Sequence, residues 1–235
     1  MRSSRVFLRG AKGYGWYKKY MEKGEEAFQK NVPPTPFLWT APDASGKTIL
    51  RPKAHFDITI AKEAVGRLTF ELAADIVPTT VYNFARLCLK EGKYGYAGTK
   101  IHRIHKGIAL MGGDVEKNDG TGNFSSFKSR YFEDENFIIP QSARGLISMA
   151  SVGVHTNGSQ FYISFSPCAH MNGRCMVFGR VMEESMPLLK QMEELFTFRG
   201  SPAAEVVISE CSLSDHEEFM ERMASQRAEN HAHAA

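Results

Sequence analysis

The sequence predicts a mostly β domain, a closed antiparallel barrel that carries two separate helices. Two early stretches, HFDITI (55–60) and RLTFEL (67–72), alternate polar and apolar residues at period two, which predicts half-buried strands. Further short apolar runs fill residues 96–181, and only two stretches of the domain switch to helical periodicity. Many short strands with few helices favour a closed barrel, because closure leaves no strand edge exposed.

The composition is that of a soluble globular protein with one domain of ordinary size plus extensions. Of 235 residues, 43% are hydrophobic and 23% are charged, so a sizeable core can form. No apolar run approaches the ~18 residues that a membrane-spanning helix needs. Residues 1–53 hold 11 Lys/Arg and 4 Asp/Glu, or +7, so a net charge of +3 leaves −4 for the rest. The basic excess therefore lies in an amino-terminal extension.

Residues 1–52 form this basic, Pro-rich extension. Its first 20 residues contain Arg, Lys and hydroxyl residues but no acid, which is typical of a mitochondrial targeting segment. The alternative is a plain basic tail of a cytoplasmic protein that contacts an acidic partner or RNA. Residues 16–30 are compatible with a short helix. The prolines of 31–42 favour extended backbone, and Phe37–Trp39 are apolar enough to pack against the domain or a neighbouring protein.

The elements of the domain, residues 53–213, follow in order. The two alternating stretches predict a hairpin with its turn at Ala64–Gly66. A helix begins near Pro78 and ends before Gly92, and a second helix covers residues 185–195. The inward faces of these helices are predicted to consist of Val81, Phe84, Ala85 and Cys88, and of Leu188, Leu189, Met192 and Leu195. A last strand covers 205–213, and the tail 214–235 is predicted to be helical and weakly anchored.

Two motif-bearing stretches carry the strongest information on function. They are IHRIHKGIALMGGD (101–114) and GLISMASVGVHTNGSQFYI (145–163). With FDI, GRLTFEL, VPTTVYNF, FEDENF and VFGRV in the same order, the chain resembles the cyclophilin family of peptidyl-prolyl isomerases from about Phe56 to Cys211. The resemblance implies eight antiparallel strands in the barrel and a helix at each end. It also implies that Xaa-Pro polypeptides are the substrates.

The chemistry of such an isomerase explains the residues that the resemblance assigns. Rotation about an Xaa-Pro bond needs no cofactor or metal, only an apolar slot for proline and a donor for the prolyl nitrogen. By resemblance, Arg103 is the catalytic donor, Gln160 binds the substrate backbone and Tyr162 forms part of the slot. Gly120 and Ala150 match the peptide-binding loops, where small residues let a backbone approach. The acidic FEDENF stretch (132–137) reads as a solvated turn rather than a paired-carboxylate site.

Several substrate-binding positions depart from the family's pattern. After Arg103 the family usually has Phe-Met and then Gln, and the Gln supports the arginine. The residues that stand at the changed positions of the pocket are Ile108, Ala109, Met111, Ser151, Val152, His170, Met171 and Cys175. His170 stands where many members have a tryptophan that binds cyclosporin. A donor without its supporting side chains loses preorganisation, so the sequence predicts weakened isomerase activity and weak cyclosporin binding.

The alternative function is a degenerate cyclophilin fold that serves as an accessory subunit of a larger, mitochondrial assembly. Residues 1–52 and the carboxy-terminal tail would then contact the other subunits. The four cysteines read as reduced thiols, and Cys168, His170 and Cys175 lack the paired spacing of a metal site. Nucleic-acid binding is disfavoured, because the domain shows no basic platform with interleaved aromatic residues.

Overall fold

A computed structural model describes residues 37–39, 51–127 and 129–233. The interpretations of residues 1–20 as a targeting segment and of 16–30 as a short helix lie outside the described residues. No helix in the described ranges is both long enough and apolar enough to cross a bilayer.

A single antiparallel sheet of eight strands forms the domain. In chain order the strands are β1 Lys53–Ile60, β2 Glu63–Leu72, β3 Arg103–His105, β4 Ala109–Gly112, β5 Leu146–Met149, β6 Phe161–Ser164, β7 Val177–Val181 and β8 Val206–Ser214. Across the sheet their order is β3-β4-β6-β5-β7-β2-β1-β8. All neighbouring pairs are antiparallel, so the predicted strand number and direction are confirmed.

The sequence predicted a closed barrel. In the structure the sheet curls into a half-barrel, and no continuous ladder closes it. The two edge strands, β3 and β8, are linked through the residues that precede β3. Lys100 forms an isolated bridge with Val207, and the Ile101 amide donates to the Val206 carbonyl over 2.9 Å. Because β3 contains only three residues, it is too short to provide a longer ladder to the nine residues of β8.

The first hairpin turns earlier than predicted. Its turn residues are Ala61 and Lys62, with φ of 50° and 73°, and Ile60 pairs with Glu63 on either side. Positive φ at both central positions is what a two-residue hairpin with matching strand twist requires. The predicted turn at Ala64–Gly66 is wrong, because these residues belong to β2.

Helix α1 spans Pro78–Cys88 and begins with proline in its first turn, where a missing N–H costs nothing. A carboxylate distant in sequence satisfies two free amides at this end. Glu135 accepts from the amides of Thr79 and Thr80, each over 2.9 Å. The interpretation of FEDENF as a solvated turn therefore needs correction: Glu135 of this stretch caps α1.

Helices α2 (Met186–Glu193) and α3 (Glu217–His233) complete the domain and its tail. Leu188, Leu189 and Met192 are buried as predicted, and Leu195 packs against the core after α2 has ended. In α3, Phe219 and Met223 lie one turn apart, and both are buried. One turn further, the Arg227 guanidinium lies 4.1 Å from the Phe127 ring centroid. The tail is helical as predicted, but its first turns are firmly docked.

Phe37–Trp39, here called the strap, lie against the domain itself. Phe37 and Trp39 pack on the main core, whereas Leu38 is 66% exposed. The buried Arg51 donates to the Trp39 carbonyl over 2.6 Å. Of the two predicted contacts for this segment, the domain and a neighbouring protein, the structure contains the first.

Candidate functional site

Strand pairing places four side chains in one row: the candidates Arg103, Met111 and Tyr162, and their neighbour Ser148. Arg103 of β3 lies opposite Met111 of β4, Met111 opposite Tyr162 of β6, and Tyr162 opposite Ser148 of β5. Directly opposite residues point to the same face, with Cβ atoms ~4.5–5.5 Å apart. The Arg103 side chain therefore lies at one end of a row whose middle is apolar.

A small cluster of apolar side chains, separate from the main core and here called the slot, lies on this face. Its buried members are Ala109, Tyr162 and Cys175, and Met111, Ala150 and Met171 are partly buried against them. All six were predicted as substrate-binding residues. Strand pairing joins three of them, and the loops after β5 and before β7 supply the others.

The Tyr162 hydroxyl is buried and has no hydrogen-bond partner among the described residues. Burial, and then the neighbouring Cys175 thiol, raise the pKa of the phenol well above its usual value. Below the ring, the Gln141 amide donates to the Ser148 hydroxyl over 2.9 Å and to the Cys175 carbonyl over 3.2 Å. Tyr162 therefore stays protonated beside the slot.

Two histidines lie near Arg103: His102 directly precedes β3, and His105 is its last residue. Burial lowers the pKa of His102 to about 4, although the Asp114 carboxylate opposes this shift. Burial and then the Arg103 charge lower the pKa of His105. Both rings are therefore neutral near pH 7, and Arg103 supplies the positive charge of this strand.

The loop that carries Gly120 is organised by one buried carboxylate. Asp114 accepts hydrogen bonds from the amides of Gly120 over 2.8 Å and Gly122 over 3.0 Å, and also from those of Glu116, Lys117 and Asp119. Burial raises the pKa of Asp114, but these backbone donors outweigh it and leave the pKa below its usual value. The loop is therefore held by hydrogen bonds to the charged, buried carboxylate of Asp114.

Gln160 contacts the same loop. Its side-chain amide nitrogen donates to the carbonyls of Gly120, over 3.1 Å, and Gly122. A Cβ on Gly120, where φ is +88°, would lie 2.6 Å from the His102 ring. Glycine is therefore required at position 120, and the loop backbone packs directly on His102.

The remaining candidates lie on three loops: Ile108 between β3 and β4, Ser151 and Val152 after β5, and His170 before β7. The Ser151 hydroxyl donates to the Arg174 carbonyl over 3.4 Å, so the loop after β5 contacts the loop before β7. Val152 is 73% exposed and Ile108 is 38% exposed. His170 lies partly buried in a short 3-10 helix, Ala169–Met171. Ile108, Ser151 and His170 are each next in sequence to a member of the slot.

A separate cleft of about 300 Å³ lies at the seam between the two edge strands. It is lined by Lys100–His102, Asn118, Asp119, Ser201, Pro202 and Ala204–Val206. None of the slot residues lines it, so it is a different surface from the candidate site. In the described residues, no three His, Cys, Asp or Glu side chains are grouped so that they could hold a metal ion.

A comparison of the sequence with models of known protein families identifies the family of this domain. Residues 55–213 match the model of the cyclophilin type peptidyl-prolyl cis-trans isomerase/CLD family. The chain belongs to the cyclophilin family. Its cyclophilin domain includes the slot, Arg103 and the loop around Asp114.

Sequence reasoning missed several residues that support the cyclophilin site. Asp114 and His102 order the Gly120 loop, and Gln141 lies below the slot. For Asp114 a signal was present, because a carboxylate precedes the NDGTG stretch, whose glycines and turn residues leave backbone amides free. For Gln141 we find no local signal, because its partners Ser148 and Cys175 are distant in sequence.

Proposed function

We propose that this protein binds Xaa-Pro segments in the slot and catalyses their cis-trans isomerisation, with Arg103 as the catalytic group. The observation that supports the proposal is the row Arg103–Met111–Tyr162, which sets a permanent cation beside an apolar slot. The slot holds the proline ring, and the guanidinium donates to the prolyl nitrogen. This nitrogen becomes pyramidal and basic as the amide twists, so the donor stabilises the transition state more than the ground state.

The peptide backbone would be held beside the slot by Gln160. Its amide nitrogen is engaged by the Gly120 and Gly122 carbonyls, so the amide plane is fixed. The side-chain carbonyl oxygen then accepts from an N–H of the bound peptide. Asp114 acts through the loop and is a positioning residue.

The proposed rate is lower than a complete pocket would give. Met111 lies directly beside Arg103, and its thioether sulfur is only a weak acceptor for the N–H groups of the guanidinium. Ala109 leaves one wall of the slot short. Loss of one aimed interaction costs ~2–4 kcal/mol of transition-state stabilisation, which is ~10²-fold in rate.

An isomerisation assay on a proline tetrapeptide tests this proposal. Wild type should exceed the uncatalysed rate, and Arg103→Ala should abolish the excess. Arg67→Ala, which removes an arginine of β2 paired with Asp57, is the matched control and should keep it. Met111→Gln should raise the rate, because the side-chain carbonyl oxygen of glutamine accepts a hydrogen bond from the Arg103 guanidinium. A wild-type rate equal to the uncatalysed one refutes the enzyme.

We also propose weak cyclosporin binding, because His170 lacks the indole surface and N–H that the family's tryptophan provides. His170→Trp should tighten binding at least ~10-fold, an extra ~1.4 kcal/mol. Calorimetry with wild type and variant measures this. Nanomolar binding by the wild type contradicts the proposal.

An accessory subunit of a larger assembly is the second candidate. It is favoured by exposed apolar side chains at the domain surface: Val152 is 73%, Val154 76% and Phe198 93% exposed. For this candidate, residues 1–52 and the carboxy-terminal tail contact other subunits. Size-exclusion chromatography of the native protein from its cell distinguishes the two, because a free enzyme elutes at the size of a single small chain and a subunit elutes with its assembly.

The site of action proposed for either function is the mitochondrion, on the basis of the acid-free residues 1–20. A fluorescent fusion that carries these residues should enter mitochondria, and a fusion without them should stay in the cytoplasm. Identical cytoplasmic signal from both fusions would support the basic-tail alternative.

A further inference from the structure

Two cysteines that are far apart in sequence share one position in the fold. Cys88 is the last residue of α1 and is 4% exposed. Cys211 lies in the edge strand β8 and is half-buried. Neither residue belongs to the slot, and the proposed isomerase does not use them.

The sheet register and the aromatic core bring the two side chains together. Cys211 lies opposite Phe56 in the β1–β8 ladder, so both point to the same face. The Phe56 ring packs on the Phe84 ring with centroids 5.7 Å apart. Phe84 precedes Cys88 by four residues, and residues at this spacing lie on the same face of a helix. The Cys88 and Cys211 side chains therefore lie next to each other, and Cys211 packs against the core that contains Cys88.

The two thiols differ in reactivity. Burial, and then the hydrogen bond with Cys211, raise the pKa of Cys88 well above its usual value. Burial also raises the pKa of Cys168 and of Cys175 to about 11 each. Since thiolates are the reactive form, these three remain protonated thiols. Cys211 is the one cysteine that is not fully buried, so a dissolved oxidant meets it first.

We propose that Cys88 and Cys211 are a reversible redox pair that closes to an intramolecular disulfide with hydrogen peroxide as oxidant. The Cys211 sulfur attacks one peroxide oxygen, the O–O bond breaks, and the departing hydroxide takes the thiol proton as water. The product is a Cys211 sulfenic acid. The Cys88 sulfur then attacks the Cys211 sulfur, the S–O bond breaks, and a second water leaves with the Cys88 proton. Two thiols are oxidised, and one peroxide is reduced to two waters.

The disulfide joins the end of α1 to the sheet edge. The loop that it closes, from residue 88 to residue 211, covers more than half of the chain. Cross-links that close long loops restrict the unfolded chain most. The oxidised protein should therefore have a higher Tm than the reduced protein.

Oxidation of the full-length protein with one equivalent of peroxide tests the pair. Free thiols should fall from four to two, intact mass should decrease by two hydrogens, and proteolysis should yield one cross-linked peptide that joins Cys88 and Cys211. Dithiothreitol should restore all four thiols. Cys168→Ser, a matched change of a buried thiol, should still form the disulfide, whereas Cys211→Ser should not.

Three results overturn the proposal: four free thiols after oxidation, a disulfide between any other cysteines, or a cross-link between two molecules. The peptide map of wild type decides each of these, so the result does not depend on whether a variant folds. An oxidised protein whose Tm equals that of the reduced form would contradict the proposed constraint on the unfolded chain.

Discussion

Two arginines of this domain make the same pair of hydrogen bonds to an aspartate but differ in burial. Arg51 donates from Nε and Nη2 to Asp75 over 2.7 and 2.9 Å. Arg67 donates from the same atoms to Asp57 over 2.6 and 2.8 Å. The Arg51 and Asp75 side chains are 3% and 21% exposed, whereas those of Arg67 and Asp57 are 55% and 31% exposed.

We expect Arg51→Met to destabilise the protein by ~1.5–3 kcal/mol, because it removes the charge-assisted hydrogen bonds that a buried guanidinium makes to Asp75. It also removes the donor to the Trp39 carbonyl and the cation that lies 5.4 Å from the Trp39 ring centroid. Arg67→Met should cost only ~0.2–1 kcal/mol, because water screens the exposed pair. Methionine retains the aliphatic stem in both variants, so the difference reports the guanidinium and its burial.

Urea unfolding followed by circular dichroism measures both free energies of unfolding. Trp39 emission, recorded with Trp16→Phe as background, should shift to the red in the Arg51 variant as the strap leaves the domain. Equal losses of stability in the two variants, or unchanged Trp39 emission in Arg51→Met, would refute the conclusion that the buried pair holds the strap.

Three further predictions concern pH, the site loop and the first hairpin. His102 titrates near pH 4 when folded and at 6.5 unfolded, so its stability contribution is complete above pH 6.5 and is lost as the pH falls towards 4. His102→Gln should therefore remove roughly 2 kcal/mol of the stability difference between pH 7 and 5, and identical pH profiles in urea titrations would exclude this. Asp114→Ala should cost at least ~3 kcal/mol and accelerate hydrogen exchange at Gly120, whose amide would lose its acceptor; protection equal to wild type would show that the carboxylate does not order the loop. Lys62→Gly should raise stability by ~1 kcal/mol because it relieves a positive φ, whereas Lys190→Gly, inside α2, should lower it by ~1 kcal/mol; thermal unfolding of both checks the contrast.

The local sequence pattern was sufficient to predict a strand or a helix where the period of the apolar residues matches the buried face of that element. The alternation in 55–60 and 67–72 correctly indicated β1 and β2, and Pro78 marked the start of α1. The same pattern misplaced the intervening turn, since Gly66 is a stronger turn signal than Ala61. The register of β1 with β2 overrode this preference and forced Ala61 into positive φ.

The resemblance to the cyclophilin family named the residues of the candidate site one by one. It did not predict which of these residues contact one another. The resemblance named Gln160 and Gly120 separately, and the structure joins them by a hydrogen bond of 3.1 Å. Asp114, which fixes that loop, was read only as the end of a Gly-Gly-Asp motif. Its role depends on five backbone amides that donate to one buried carboxylate. The order of residues along the chain does not show which amides reach that carboxylate.

Periodicity in the sequence predicted many short antiparallel strands and the helices, because periodicity is visible within short windows. The resemblance of its motifs to the cyclophilin family supplied the number of eight strands and the residue types at the slot. Only the tertiary structure decided that the sheet remains a half-barrel, that the strap docks on its own domain, and that Cys88 meets Cys211. Each of these results requires contacts between residues far apart in the chain. Such contacts form only when the strands take their register and the core excludes water, so no local pattern encodes them.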